Sequence, residues 1–276
     1  MGTAVAFTAQ ELARFRELQQ LAYGCAARTA AWLAPGVTER QAAKYLRLEL
    51  EKAGVQDLFH VPFAWFGDRS AFSGFRVALQ FFPTNRALTE GMPYVLDCAP
   101  IIDGYTADIG YGGVLGHSAA WDRLDRDLST LRPLILDHVR RGETLDEVYR
   151  AVDAAIAQQG NENRHRVYPG RVIGHQVTRQ HAIGPNGRTV FGFGIRTIQT
   201  LGREFLADAV KRRSPLWADG KMYGFPATPG LWAVEPHLGR DGVGLKFEEL
   251  LVVTEDGDAY WLDDDVPHVR RWTAAA

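Results

Sequence analysis

Long apolar runs are absent from this 276-residue sequence, and so is any excess of charge of one sign. No stretch approaches the roughly 18 uninterrupted apolar residues that a membrane helix needs, so no membrane partner is expected. With 31 Lys and Arg against 33 Asp and Glu, no broad basic face is available for nucleic acid, and the clusters RHR and KRR are too short to supply one. Cysteine is also scarce: Cys25 and Cys98 lie far apart without CxxC spacing, which argues against a disulfide scaffold and for a reducing compartment. The opening MGTAVAFTAQELARF shows no basic stretch followed by an apolar core, so no secretory signal is expected and a cytoplasmic location is. No repeat, linker or low-complexity tract interrupts the chain. What remains is a soluble globular chain whose expected partner is a small molecule or peptide.

The local signals describe a mixed α+β domain. Thr8 followed by Glu11 has capping-box spacing, and apolar residues recur at three and four positions from there to Ala31, which predicts a helix. Pro35-Gly36 breaks it, Thr38 caps a second amphipathic run, RQAAKYLRLELEKAG, and Gly54 ends that run. Residues 55–92, rich in aromatics, read as short strands and loops around Gly67 and Gly74. Two more helices are expected over about Ser118 to Arg141 and Thr144 to Gln159, and another over Arg203 to Arg213. GLWAVEPH, VGLKFEELLVVTEDG and DAYWLDD read as strands, with turns at Asp241-Gly242 and Asp256-Gly257.

One stretch, YVLDCAPIIDGYTADIGYGG, sets two aspartates in apolar strands. Asp103-Gly104 is a two-residue hairpin turn, so Asp97 should face Gly110 and Asp108 should face Ala99. Alternation then puts both carboxylates on one face as diagonal neighbours, within roughly 7 Å, each opposite a residue with almost no side chain. Cys98 points the other way. Burial and mutual repulsion would raise both pKa values unless a cation compensates, and a metal ion is the natural one; the alternative is a pair of solvated aspartates on a wet sheet edge. The Asp241-Gly242 turn repeats the pattern, placing Glu235 opposite Glu248 while Glu249 points away. Four carboxylates with one or two imidazoles suit a pair of divalent ions, Mn²⁺, Co²⁺ or Zn²⁺ ahead of Ca²⁺. Of eight histidines, His175 in RVIGHQVT follows strand-like residues and a glycine that permits close backbone approach.

Asp, eleven positions later Asp, then Gly-His, then Glu-Pro after Pro-Gly, then Glu ahead of VVTEDG: this order resembles the methionine aminopeptidase and prolidase family, the pita-bread metallopeptidases. ELARFRELQQLA and APGVTERQAA resemble that family's opening helices, and the likeness runs along most of the chain. It implies an antiparallel curved sheet flanked by helices, in a single catalytic domain over residues 1–276 with an insertion at about 182–228. It also implies two divalent metal ions, Mn²⁺ or Co²⁺ first and Zn²⁺ next, held by Asp97, Asp108, His175, Glu235 and Glu248. Asp97 would serve one ion, His175 and Glu235 the other, and Asp108 and Glu248 would bridge; Glu235 would also move a proton. The implied reaction is hydrolysis of an N-terminal peptide bond in a peptide or dipeptide. The VVTEDG and DCAP contexts look closer to the Xaa-Pro branch, and a homodimer stands beside the monomer as an expected form.

Three departures mark the chain. The family carries a histidine on the strand before the ligand hairpin; RVALQFFPTNRALTEG has none, and by spacing His60 lies too far upstream to replace it. Gly110 stands where the family has Ser or Thr. His181, a candidate substrate contact, follows His175 by six positions where the family has seven. Two other readings stay open: a catalytically silent pita-bread domain that binds a peptide or protein, and a hydrolase of the same fold acting on a non-peptide C–N bond.

Overall fold

The computed structural model describes residues 7–179, 189–190, 192–194 and 213–275. His181 and nearly all of the helix expected over Arg203 to Arg213 lie outside the described residues. Both N-terminal helices begin at their caps. The Thr8 hydroxyl accepts from the Glu11 N–H and the Glu11 carboxylate accepts from the Thr8 N–H at the start of Ala9–Trp32; Thr38 and Gln41 repeat the device at Glu39–Lys52. Ala22, Cys25 and Ala26 of the first helix and Ala42, Leu46 and Leu50 of the second pack onto Ala64, Phe66, Leu96 and Ile109. Each such Leu or Phe contributes about 1.5–3 kcal/mol by leaving water.

The stretch expected as one helix from Ser118 to Arg141 is two, Ala119–Ser129 and Leu131–Arg140. Pro133 is the reason: it lacks an N–H and its ring clashes with the carbonyl four residues back, so it fits only in the first turn of a new helix. These two and Leu145–Gln158 form a second helical layer, burying Leu128, Ile135, Val148 and Val152 among Trp217, Trp232 and Phe247. A C-terminal helix, Pro267–Ala275, was not expected from the sequence.

The strands that matter for the site form antiparallel sheets. Phe63–Phe66, Pro93–Cys98 and Ile109–Val114 make a sheet with Pro93–Cys98 in the middle. A second runs in the order Leu216–Trp217, Gly174–Val177, Gly230–Val234, Glu249–Val253, Ala259–Trp261. Because Leu216–Trp217 pairs with Gly174–Val177, the end of the stretch read as an insertion belongs to the central sheet. A third sheet holds the hairpin His237–Arg240 and Val243–Lys246. The first and second are joined by a bridge between Gly110 and Glu248. Among the described residues no helix is long and apolar enough to cross a membrane.

Candidate metal centre

The two turns set the geometry. Asp103 and Gly104 have φ of 52° and 81°, both positive as the tight hairpin requires, and the strands they join pair Asp97 with Gly110 and Cys98 with Ile109, the expected register. Asp241 and Gly242, at 51° and 77°, do the same for the C-terminal hairpin. Its register is the same on both sides of Pro236, with His237 opposite Lys246 and Val234 opposite Glu249. The proline, lacking an N–H, interrupts the ladder at the point where Glu235 and Glu248 turn inward. His175 arrives on Gly174–Val177, opposite Ala233. Gly174 is needed there because a Cβ at that position would lie 2.4 Å from the Ala233 carbonyl oxygen.

The five residues singled out in the sequence thus meet in one buried cluster. Asp97 is 4% exposed and Asp108 5%, which excludes the solvated-edge alternative. The His175 Nε2 lies 3.5 Å from Asp108 Oδ2, its Nδ1 faces the Gln176 carbonyl at 3.1 Å, and its ring stacks on Phe59. Ligand-capable atoms of Asp108, His175 and Glu248 lie within 4.8 Å of one another, as do those of His60, Asp97 and Asp108. The Tyr23 hydroxyl donates to the Glu248 carbonyl at 2.7 Å, so the first helix fixes this ligand strand.

His60 corrects the expectation drawn from spacing. Its Nε2 lies 3.1 Å from Asp108 Oδ1 and 3.4 Å from Asp97 Oδ1, while Nδ1 faces the Val61 carbonyl at 2.9 Å. Phe63 pairs with Asp97, so the chain before that strand carries His60 to the site, and residues 67–92 only lengthen the route back. Phe193 bridges to His60 and sets its ring edge-on to the imidazole. Phe59, Phe63 and Phe193 thus give this side an apolar wall.

Lys246 was missed altogether. Its Nζ lies 2.7 Å from Asp97 Oδ2, 2.8 Å from Glu235 Oε2 and 2.8 Å from Glu248 Oε2, and the residue is 2% exposed. The signal was available: residues two apart on an extended strand share a face, so Lys246 must look where Glu248 looks. Gly110, which the sequence suggested leaves room for an ion, leaves room for this side chain; a Cβ on Gly110 would sit 2.4 Å from Lys246 Cε.

Electrostatics follow from these contacts. Burial opposes a charge on His60, but Asp108 and Asp97 outweigh it and hold its pKa up at about 9. His175 is likewise raised, burial being overcome by its contact with Asp108. Burial favours the neutral Asp108 carboxyl, yet the two imidazoles hold it well below the usual carboxylate range. Glu235 is pushed up by burial, which its contact with Lys246 only partly offsets, and Glu248 by burial first and then by Asp108 and Glu235, again offset only in part by Lys246. Lys246 pays for burial with three carboxylates and is held well above the ordinary lysine value.

The donor set fits a divalent ion on Asp108, His175 and Glu248, hard oxygens with one imidazole that suit Mn²⁺, Co²⁺ or Zn²⁺. The face formed by Asp97, Glu235 and Glu248 already carries a cation, the Lys246 ammonium.

Comparison with known proteins bears on the fold and the family. No curated protein matches the sequence. In overall structure the chain is similar to an X-Pro aminopeptidase from Thermotoga maritima, with a TM-score of 0.66 and 15% identity over 93% of this chain and 62% of that one. The dipeptidase PepE from Mycobacterium ulcerans gives 0.68 and 19% identity over 96% of this chain and 60% of that one. The chain therefore spans about three-fifths of either protein. A methionine aminopeptidase from Rickettsia prowazekii gives 0.63 and 16% identity, covering 94% of this chain and 99% of that one. At these identities the likeness concerns the pita-bread fold. The sequence model of metallopeptidase family M24 matches residues 13–255, nearly the whole chain, and the protein is a member of that family.

Proposed function

We propose that this protein is a divalent-metal-dependent peptidase that hydrolyses the N-terminal peptide bond of a short peptide, with Xaa-Pro dipeptides as its first substrate class. The observation that carries the reading is the buried convergence of Asp108, His175 and Glu248 within a single ion's reach, in a chain of this family. A divalent ion held there, Mn²⁺ or Co²⁺ first, would lower the pKa of a bound water and polarise the scissile carbonyl. The chain's own residues do the rest. Glu235 Oε2 is held by Lys246, which leaves Oε1 to take a proton and return it to the leaving amine, and its raised pKa suits that exchange. His60 orients Asp108 through Nε2, with its own ring fixed by the Val61 carbonyl at Nδ1. The apolar wall of Phe59, Phe63 and Phe193 would receive an apolar ring such as that of proline and keep water from it.

A panel of Xaa-Pro dipeptides, longer Xaa-Pro peptides and Met-starting peptides, assayed with Mn²⁺ and with chelator, tests this. Release of the free N-terminal residue that stops on chelation is expected, fastest with Xaa-Pro. Inactivity on every peptide with metal bound would overturn the reading and favour a non-peptide C–N bond. His60→Ala, compared at equal metal content, is expected to lower kcat by about 10–100-fold, the usual cost of losing a partner that orients a ligand. Unchanged turnover would remove His60 from the site's working parts.

A further inference from the structure

Two cations stand in the reading that family membership brings, and one of their places is taken by a side chain. The Lys246 ammonium has three N–H donors, and three carboxylate oxygens, on Asp97, Glu235 and Glu248, stand at 2.7–2.8 Å to accept them. No donor is left over. All three acceptors belong to residues expected to bind metal. The lysine reaches them over Gly110, where any β-carbon would collide with Cε at 2.4 Å and with Cγ at 3.2 Å. The missing side chain at position 110 is therefore what gives the Lys246 stem its path to the carboxylates. The Tyr168 ring, 5.4 Å from Nζ, covers the ammonium with a π-face, a further contact suited to a cation.

A divalent ion and an ammonium cannot share the same three oxygens. Like charges a few ångströms apart in a buried site repel by several kcal/mol even at an effective dielectric of about 20. Asp108 and His175 carry no bond to the lysine, and with Glu248, which the lysine holds through Oε2, they keep a donor group of their own.

We propose that Lys246 is the built-in second cation of this centre, so that the protein takes a single divalent ion on Asp108, His175 and Glu248 instead of a pair. The proposal rests on the metallopeptidase reading and sharpens it. Lys246 here is a positioning residue: it neutralises Asp97, fixes Glu235 through Oε2 and holds Glu248 toward the one ion. An ammonium cannot act as a Lewis acid, so one ion held by Asp108, His175 and Glu248 would have to supply both water activation and carbonyl polarisation, with Glu235 as proton carrier.

The test is a metal count with a spectroscopic signature. The full chain, loaded with Mn²⁺ and freed of loose metal, should retain about one ion per chain and give the six-line spectrum of isolated Mn²⁺, where a paired centre of the two-metal kind would give a coupled one. Lys246→Met keeps the apolar stem and removes the charge; it is expected to retain about two ions with a coupled spectrum. Gly110→Ser, which drives the lysine stem aside, should move in the same direction. Wild-type protein with two coupled ions overturns the inference and leaves the metallopeptidase reading standing. Folded Lys246→Met protein that takes no second ion also overturns it. Wild-type protein that retains no metal overturns both readings together. Should Lys246→Met fail to fold, as judged by circular dichroism, the wild-type count and spectrum decide alone.

Discussion

Asp108→Ala is expected to abolish metal retention and lower peptide hydrolysis by about 10³-fold or more. Asp108 is common to both metal-capable groups, with Oδ1 facing His60 and Oδ2 facing His175. A metal centre supplies several kcal/mol of transition-state stabilisation, and each 1.36 kcal/mol is tenfold in rate, which sets that figure. Losing Asp108 leaves Glu248 and His175 as the remaining pair of the three-residue group, too few to hold an ion against dilution. The metal-free fold should survive with some loss of stability, because removing Asp108 orphans the His60 and His175 imidazoles while relieving its repulsion of the buried Glu248 carboxylate. Metal content after desalting, Xaa-Pro dipeptide turnover and the melting temperature of the metal-free protein would be measured side by side. A variant with wild-type metal and turnover would sink the assignment of the site; one with lost turnover and a collapsed melting temperature would mean that Asp108 acts through the fold.

Much of this site was legible because it rests on local rules. Asp-Gly at 103–104 and 241–242 fixes two hairpin turns, a turn fixes a register, and register with alternation tells which carboxylates share a face. Those steps pair Asp97 with Asp108 and Glu235 with Glu248 without tertiary information; the bridge between Gly110 and Glu248 is what brings the two pairs together. The capping boxes at Thr8 and Thr38 are local in the same way. What was missed depends on the path of the chain in space. His60 was dismissed on distance along the sequence, yet the residues between Phe66 and Pro93 fold back on themselves around Phe72, Phe75 and Phe81, so the separation in sequence is closed in space. Lys246 was passed over for another reason. In KFEE a lysine beside two glutamates reads as a solvated, self-compensating charge run, and only the observation that its face is the ligand face reverses that. Gly110 was noticed, but its meaning depended on what fills the space a β-carbon would take. Cooperative breaks are harder still: the division of the helix after Ser129 depends on a single proline, which a periodicity reading averages away.

The next residue on the ligand strand predicts a large effect on stability. Glu249 points away from the site, as alternation requires, and is fully buried. Arg132 meets it with two parallel hydrogen bonds, Nε to Oε1 at 2.7 Å and Nη2 to Oε2 at 3.1 Å, and His268 Nε2 lies 3.0 Å from Oε1. Arg132 also reaches the Asp263 carbonyl and the Asp264 carboxylate and stacks over Trp261, tying the helix Leu131–Arg140 to the C-terminal strands. Arg132→Met keeps much of the volume and removes every one of these donors, leaving a buried carboxylate with a single imidazole. Breaking a buried pair from one side costs about 3–5 kcal/mol, a large share of the roughly 5–15 kcal/mol that holds a typical domain folded. A fall in melting temperature of roughly 5–15 °C should follow, read by circular dichroism or calorimetry. Removing both charges, as Arg132→Met with Glu249→Leu, should recover a substantial part of the loss, since the penalty comes from the orphaned charge more than from the lost pair. The effect should also reach the centre: Glu249 and Glu248 are consecutive, so a strand loosened at one should weaken metal retention at the other. A single variant melting within a degree of wild type, or a double variant no better than the single, would show that Glu249 is stabilised by something other than Arg132.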